Sequence, residues 1–368
     1  MNTNNIRLTA LALLLSASTF AGNKDRSGQS GAGELLINPW GMSSGCFGLN
    51  GAHVVGVESM KLNVAGLAKT KTTEFGAAHT RYLAGTGLGI SNAGVAHNLG
   101  NDMVIGFNLM SFTFGSIPIT TESSTEGGIG EYRPNFTNFS LALGKKFSEN
   151  MSTGIQATYV NEALSNIRAS AVAFDAGVQY VNGKHDNLHL GVSLRNVGTN
   201  LRFVGDGFSY NGTSPDLVKS ISVNSKSDRF SLPSQLAFGV SYDFYLKPNN
   251  DTTESADGVP PSQHRLTPMF SFISNAFNKD WIGIGAEYGY KEKLMVRLAY
   301  RYEGQITSSA DNTTLYNGLA AGLTLATNVS SKENAHKLLI DYGFRATRVS
   351  NGVHTLGIRM QLGAKESK

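Results

Sequence analysis

The sequence predicts an all-β protein: a transmembrane antiparallel β-barrel of about fourteen strands with an N-terminal plug segment. Three observations predict it. Of 368 residues only 16% are charged, against about 25% in ordinary soluble domains, yet only 40% are hydrophobic. Gly supplies 42 residues and the mean hydropathy is -0.15, which no bundle of apolar helices would give. Strands that alternate apolar-outward and polar-inward do give it, because the two faces cancel in the average. Finally, segments of about 9–14 residues with a period of two recur from about residue 73 to the end of the chain.

The elements follow in order. Residues 1–21 read as a secretory signal peptide: Arg7 supplies a basic start, Leu8 to Leu15 an apolar run too short to span a bilayer, and Thr19-Phe20-Ala21 a cleavage site after Ala21. The competing reading is an N-terminal core helix. After residue 21 no run of about 18 apolar residues remains, so no membrane helix is expected. Residues 22–71 are rich in Gly and Ser and lack alternation. Leu35 to Trp40 and Ala52 to Ala68 are their apolar stretches, read as short irregular or helical pieces packed inside something larger, a plug.

Residues 72–363 carry the alternation. In the last segment Leu356, Ile358, Met360 and Leu362 oppose Thr355, Gly357, Arg359 and Gln361. The same pattern fills 138–147, 188–195, 236–244 and 294–302. Strand centres are expected near residues 78, 92, 108, 141, 156, 175, 192, 239, 269, 285, 298, 321, 341 and 357. A soluble β-sandwich also alternates. The membrane reading is favoured by the small residues of the inner face, by Tyr159, Tyr180, Tyr242, Tyr290 and Tyr302 near strand ends, and by an outer face of Leu, Val, Ile, Phe and Tyr. Connections such as 148–150 and 291–293 are short, whereas 116–134 and 199–231 are long, as periplasmic turns and external loops should be. A long polar link at 247–263 falls on the turn side and breaks that rule, or else the count slips by one there. Residues 364–368 are a C-terminal tail without the terminal aromatic common in such barrels.

The chemistry points away from catalysis. No His-Glu-x-x-His or Gly-x-Ser-x-Gly pattern occurs, and Gly85-Thr86-Gly87-Leu88-Gly89 reads as a hairpin turn, with no amphipathic helix after it. No catalytic residue, metal site or cofactor is assigned. Cys46 is the single cysteine, which rules out an intrachain disulfide. The net charge of +4 is spread along the chain, with no basic patch for nucleic acid. By register Asp175, Arg195, Asp243, Glu287, Arg297, Arg301, Asp341, Arg345 and Arg359 face the lumen. Charges withdrawn from water need partners. Two readings follow: a network of pairs bracing the barrel and its plug, or a polar pathway for a solute. The loop holding Ile117, Pro118, Ile119, Thr120, Thr121 and Ile129 is more apolar than solvation requires, so it either folds over the barrel mouth or presents a surface to a protein partner.

Six short motifs, in order, resemble the PorV/PorQ proteins of the Bacteroidetes type IX secretion system, which are similar in architecture to FadL-type fatty-acid transporters. They are Asn63-Val64-Ala65-Gly66-Leu67-Ala68, with Asn63, Gly66 and Leu67 as the plug motif, Gly115 to Thr121, Phe174 to Tyr180, Leu194 to Gly198, Ile284 to Tyr288 and Val296 to Arg301. Val64 departs from the Pro usual there, and Ala299 from a frequent Gly. The resemblance implies a fourteen-stranded outer-membrane barrel with a plug and a non-enzymatic role in protein export. The implied partners are outer-membrane lipid, the type IX translocon, cargo C-terminal signal domains and a surface attachment complex. The alternative is a FadL-like passive transporter of hydrophobic solutes.

Overall fold

The period-two segments pair edge to edge into one closed cylinder. The computed structural model describes residues 24–183, 185–213, 220–248, 262–308, 312–329 and 336–363. The expected leader, the C-terminal tail and most of the 247–263 link lie outside the described residues. The wall consists of β1 (Thr73–Arg81), β2 (Gly89–Gly100), β3 (Met103–Thr113), β4 (Asn135–Lys146), β5 (Met151–Leu164), β6 (Ile167–Asn182) and β7 (Leu188–Gly198). It continues as β8 (Gln235–Tyr242, resumed at Phe244–Pro248), β9 (Ser262–Asn275), β10 (Trp281–Tyr290), β11 (Leu294–Glu303), β12 (Tyr316–Asn328), β13 (Lys337–Thr347) and β14 (Val353–Gln361). Each strand is antiparallel to its neighbours, and β1 pairs with β14 through Ala77 opposite Ile358, which closes the sheet. All fourteen strands lie where the alternation places them.

Register fixes the two faces, because a shift of one residue would exchange them. Leu141, Ile155, Phe174, Leu298 and Leu356 are exposed on the outside, with Leu298 at 65%, while Arg359 beside them in sequence pattern is 2% exposed on the inside. A two-residue turn joins β2 to β3: Asn101 and Asp102 both take left-handed conformations. Residues 82–88 close the opposite hairpin, with positive φ at Gly85 and Gly87, and β2 follows directly with no helix. The count through the long link holds, since Pro248 pairs with Ser262 at the turn end. The ladder between β8 and β9 breaks at Asp243, beside Pro268, which has no N–H to donate.

Residues 24–72 fill the lumen. Their path starts at the loop end, where Ser30 bridges Ser231 and Arg26 stacks on Phe277, 4.1 Å from the ring centre. It descends through single helical turns at Gly41–Ser44 and Ser59–Leu62 and through 3-10 turns at Leu49–Ala52 and Val64–Lys69 before entering β1 at the turn end. The wall makes room for this segment with inward glycines that face one another across the ladders: Gly76 with Gly94, Gly144 with Gly154 and Gly177, Gly191 with Gly239, and Gly322 with Gly343. A Cβ on Gly144 would stand 2.6 Å from Ala68 N, and one on Gly154 would stand 2.5 Å from Val64 O. Both obstacles are backbone, so they cannot yield by a rotamer change. The high glycine content thus has a packing cause.

Cys46 reports on this seal. It is fully buried in the plug, its Sγ 3.5 Å from Asn50 Oδ1, and burial pushes its thiol pKa up to about 11. Gly154→Val should destabilise plug packing by about 1–3 kcal/mol. Maleimide labelling of Cys46 in the folded, detergent-solubilised protein should then be markedly faster than in the unsubstituted chain; equal labelling rates would show that the contact does not hold the plug.

Candidate functional site

The inward charges form one line around half the barrel. His189 Nε2 on β7 meets Asp243 at 3.0 Å, and Arg265 on β9 reaches Asp243 at 3.4 Å and Glu287 at 2.6 Å. Glu287 on β10 accepts from Arg297, its direct ladder partner on β11. Arg297 Nη1 donates to Thr324 on β12 at 2.7 Å, and Thr324 donates to Asp341 on β13 at 2.6 Å. Arg359 on β14 donates to Asp341 at 2.8 Å and stands 3.5 Å from Glu58 of the plug. Glu58 in turn accepts from the backbone N of Ser43 at 2.7 Å and from the Ser43 hydroxyl. Every strand from β7 to β14 contributes one link, and the last link is the plug.

The four other expected lumen charges lie outside this line, on the plug or on neighbouring wall residues. Arg195 donates to Lys61 O at 3.2 Å, and Arg345 donates to Asn38 O at 3.0 Å. Asp175 accepts from Asn196 N at 2.6 Å and Gln156 at 2.9 Å. Arg301 stacks 4.6 Å from the Trp281 ring centre and donates to Glu303 at 2.5 Å.

The three residues of the plug motif have distinct physical tasks. Asn63 accepts from Ala65 N at 3.2 Å, capping the Val64–Lys69 turn, while its amide donates to Val178 O at 3.0 Å on the wall. Gly66 leaves no space for a side chain, since a Cβ there would run into Val54 O and meet Ser59 Cβ at 2.8 Å. Leu67 is fully buried beneath Gly106 and Gly144. The loop residues stand apart from all of this. Ile117 and Pro118 pair with Tyr132 and Glu131 in a two-residue ribbon, Thr120 and Thr121 are exposed, and Ile129 is 54% exposed.

The plug divides the lumen. On the loop side lies a cavity of about 580 Å³ bounded below by Asn38, Gly51 and Asn63 and above by residues such as Leu88, Asn278 and Thr314. A second cavity of about 620 Å³ on the turn side is bounded by Val55, Lys69 and Asp186 and shares no wall residue with the first. Gln179 seals the level between them, donating to Gly51 O at 3.1 Å and Val54 O at 3.0 Å.

Comparison with known proteins decides the family. The model of the family described as "Type IX secretion system membrane protein PorP/SprF" matches residues 123–342, from the loop before β4 into β13. The chain belongs to the PorP/SprF family. The fold is also similar to that of the CymD monoaromatic hydrocarbon channel, with 12% identity over 90% of this chain and 99% of that one and a TM-score of 0.50. A Pseudomonas aeruginosa FadL homologue is similar at 11% identity, over 87% of this chain and 97% of that one, with a TM-score of 0.46. The P. putida toluene transporter TodX is similar at 12% identity, over 88% and 97%, with a TM-score of 0.47. These likenesses concern the barrel architecture alone. No curated protein matches the sequence.

Sequence reasoning missed several residues of the lumen. Arg265 lies beside the Pro260-Pro261 link, where register was left open; carrying the alternation back from Phe270 through Pro268 and Leu266 places it inward. Glu34 and Glu58 sit in the plug, which has no period to read. Trp281 and Tyr316 were not singled out, because their partnership with Arg301 and Arg345 exists only across strands.

Glu287→Gln should leave Arg297, which is 1% exposed, beside a neutral partner. A loss of about 3–5 kcal/mol is expected from breaking a buried pair, measured as urea unfolding of the barrel in lipid vesicles; an unchanged midpoint would mean that the line carries no stability. His53 of the plug, bonded to Ser241 at 2.8 Å, has its pKa lowered from 6.5 to about 4, chiefly by burial, with His189 and Arg265 acting in the same direction and Glu287 and Asp243 against it. The unfolded state therefore binds a proton that the folded state refuses, so stability falls as pH drops from 6.5 to about 4. His53→Gln should flatten that slope in a pH series of the same unfolding measurement.

Proposed function

We propose that this PorP/SprF-family barrel is a non-enzymatic outer-membrane component of a type IX secretion system, acting as a closed docking platform and not as a conduit. The observation that carries the reading is the division of the lumen: the plug is packed on inward glycines and tied to the wall by Asn63, Gln179, Arg345 and Arg359. A barrel braced shut in this way offers its work to partners at its ends. The loops at 116–134 and 199–231 are the binding surfaces we assign for the translocon or for cargo signal domains. The first is supported by Ile119 and Ile129 exposed on a small ribbon, and the second by Tyr210 and Ile221 exposed on a protruding hairpin, Ser209–Thr213 with Ser220–Asn224.

The kinship with PorV/PorQ also belongs to this proposal, and the six ordered motifs are its support. The export role also takes up the secretory leader read at residues 1–21. Passage of hydrophobic solutes, the FadL-like alternative, is disfavoured by the same sealed plug.

The reading is tested in the native bacterium. Deletion of the gene should trap secreted cargo in the periplasm. Ile119→Asp with Ile129→Asp, in a barrel that still inserts, should lower export at least severalfold. Normal export in the deletion strain would sink the assignment.

A further inference from the structure

The loop-side cavity has no part in the docking proposed above. It is a blind cup, floored by the plug. Its lining sets four cations, Lys61, Arg195, Arg301 and Arg345, against two carboxylates, Glu34 and Glu303. Glu303 pairs with Arg301 and accepts from Thr313 at 3.1 Å, so these two charges offset each other, whereas Arg345 has no ion-pair partner among the described residues. Glu34 is 3% exposed and lies beside Glu162, Asn138 and Lys61, and burial raises its pKa, which weakens it as a counter-ion.

The arginines are held rigidly. Arg345 is 4% exposed, lies 5.6 Å from the Tyr316 ring centre and spends Nη2 on Asn38 O, while its Nε has no partner. Arg301 is stacked on Trp281, and its Nε likewise has no partner. Stacking fixes the plane of a guanidinium, and with Nη2 of each arginine already spent, on Asn38 O and on Glu303, Nη1 is the position left to an incoming acceptor. The wall contributed by β3 and β4 is of another character. Phe112 and Phe114 stack at 4.3 Å, and Phe136 meets Phe114 at 4.7 Å. One side of the cup is cationic and planar, and another is aromatic and uncharged.

The geometry points to a receptor site for an organic carboxylate carrying an apolar body, its head on Arg345 and Arg301 and its body against the phenylalanines. A carboxylate brings a full negative charge and two acceptor oxygens to these cations, which a hydroxyl cannot. A cavity of about 580 Å³ lies within the range of small-molecule sites, roughly 300–1,000 Å³. The same chemistry is offered by a free amphiphilic acid and by the terminal carboxylate of a polypeptide.

The chain supplies its own reporter, because its two tryptophans are Trp40, sealed in the plug, and Trp281, in the cavity wall. In the full-length protein with Trp40→Phe, purified in a zwitterionic detergent, Trp281 fluorescence is titrated with cyclohexanecarboxylate, cyclohexylmethanol and cyclohexylmethylamine, none of which absorbs at the exciting wavelength. Calorimetry on the same samples catches binding that leaves the fluorescence unchanged. The acid should bind saturably, at least tenfold tighter than the alcohol, with no binding of the amine. Arg345→Met should weaken the acid at least tenfold and leave the alcohol unchanged; Arg301→Met serves where the first variant fails to fold. Acetyl-Leu-Val-Leu with a free terminus, set against its amide, separates the two sources: binding of the free-terminus peptide assigns a polypeptide end, and binding of the small acid alone assigns a free amphiphile. Equal binding of acid, alcohol and amine, no binding of either carboxylate, or acid binding indifferent to both arginine substitutions would overturn the proposal. Because these measurements need no translocon or cargo, their failure leaves the docking function standing, and a failure of export assays leaves the site standing.

Discussion

Inside hydrocarbon there is no water to satisfy a backbone N–H or C=O, so a chain that crosses as strands must pair every one of them with a neighbour. Pairing of β1 with β14 removes the last free edge and turns thirteen hairpin or loop connections into a cylinder. Everything else is conditional on that closure. A closed wall has an inside, and an inside lined by side chains every second residue must be filled, hydrated or braced.

Two solutions share the work. From β1 to β6 the inner wall is stripped to glycine at the level of the plug, so that Trp40, Val57, Met60 and Leu67 lie against backbone. From β7 to β14 glycines such as Gly239, Gly322 and Gly343 also meet the plug, and the wall adds long charged side chains that bond one another in sequence around the circumference and end on Glu58. Glycine allows close approach; the charged line sets position, because a buried ion has few arrangements in which all its partners are met. The plug is wedged by the first and registered by the second.

The wall was legible in the sequence because its signal is redundant. Each strand repeats the same alternation several times, and Leu356 to Leu362 alone define a face. Sequence also placed Glu287 and Arg297 inward, since parity is all that this requires; that they are direct ladder partners depends on turn length at Lys291–Lys293. The plug gave no such signal. Its turns are one residue set each, Gly33–Leu36, Gly41–Ser44, Leu49–Ala52, with no period for a pattern to establish. The interruption at Asp243 was hidden for a related reason, because it depends on Pro268 in the neighbouring strand.

The loop-side cavity marks the limit of sequence reading most sharply. Its boundary is drawn from the plug, from both strand ends and from the loops, and residues as distant as Glu34 and Arg345 share it. No spacing rule joins them. Yet its character follows from the walls already described: Phe112, Phe114 and Phe136 come from the loop ends of β3 and β4, and the stacked arginines come from β11 and β13, which also carry Arg297 and Asp341 of the charged line. A cup that draws on both kinds of wall has an aromatic side and a cationic side that the alternation of no single strand displays.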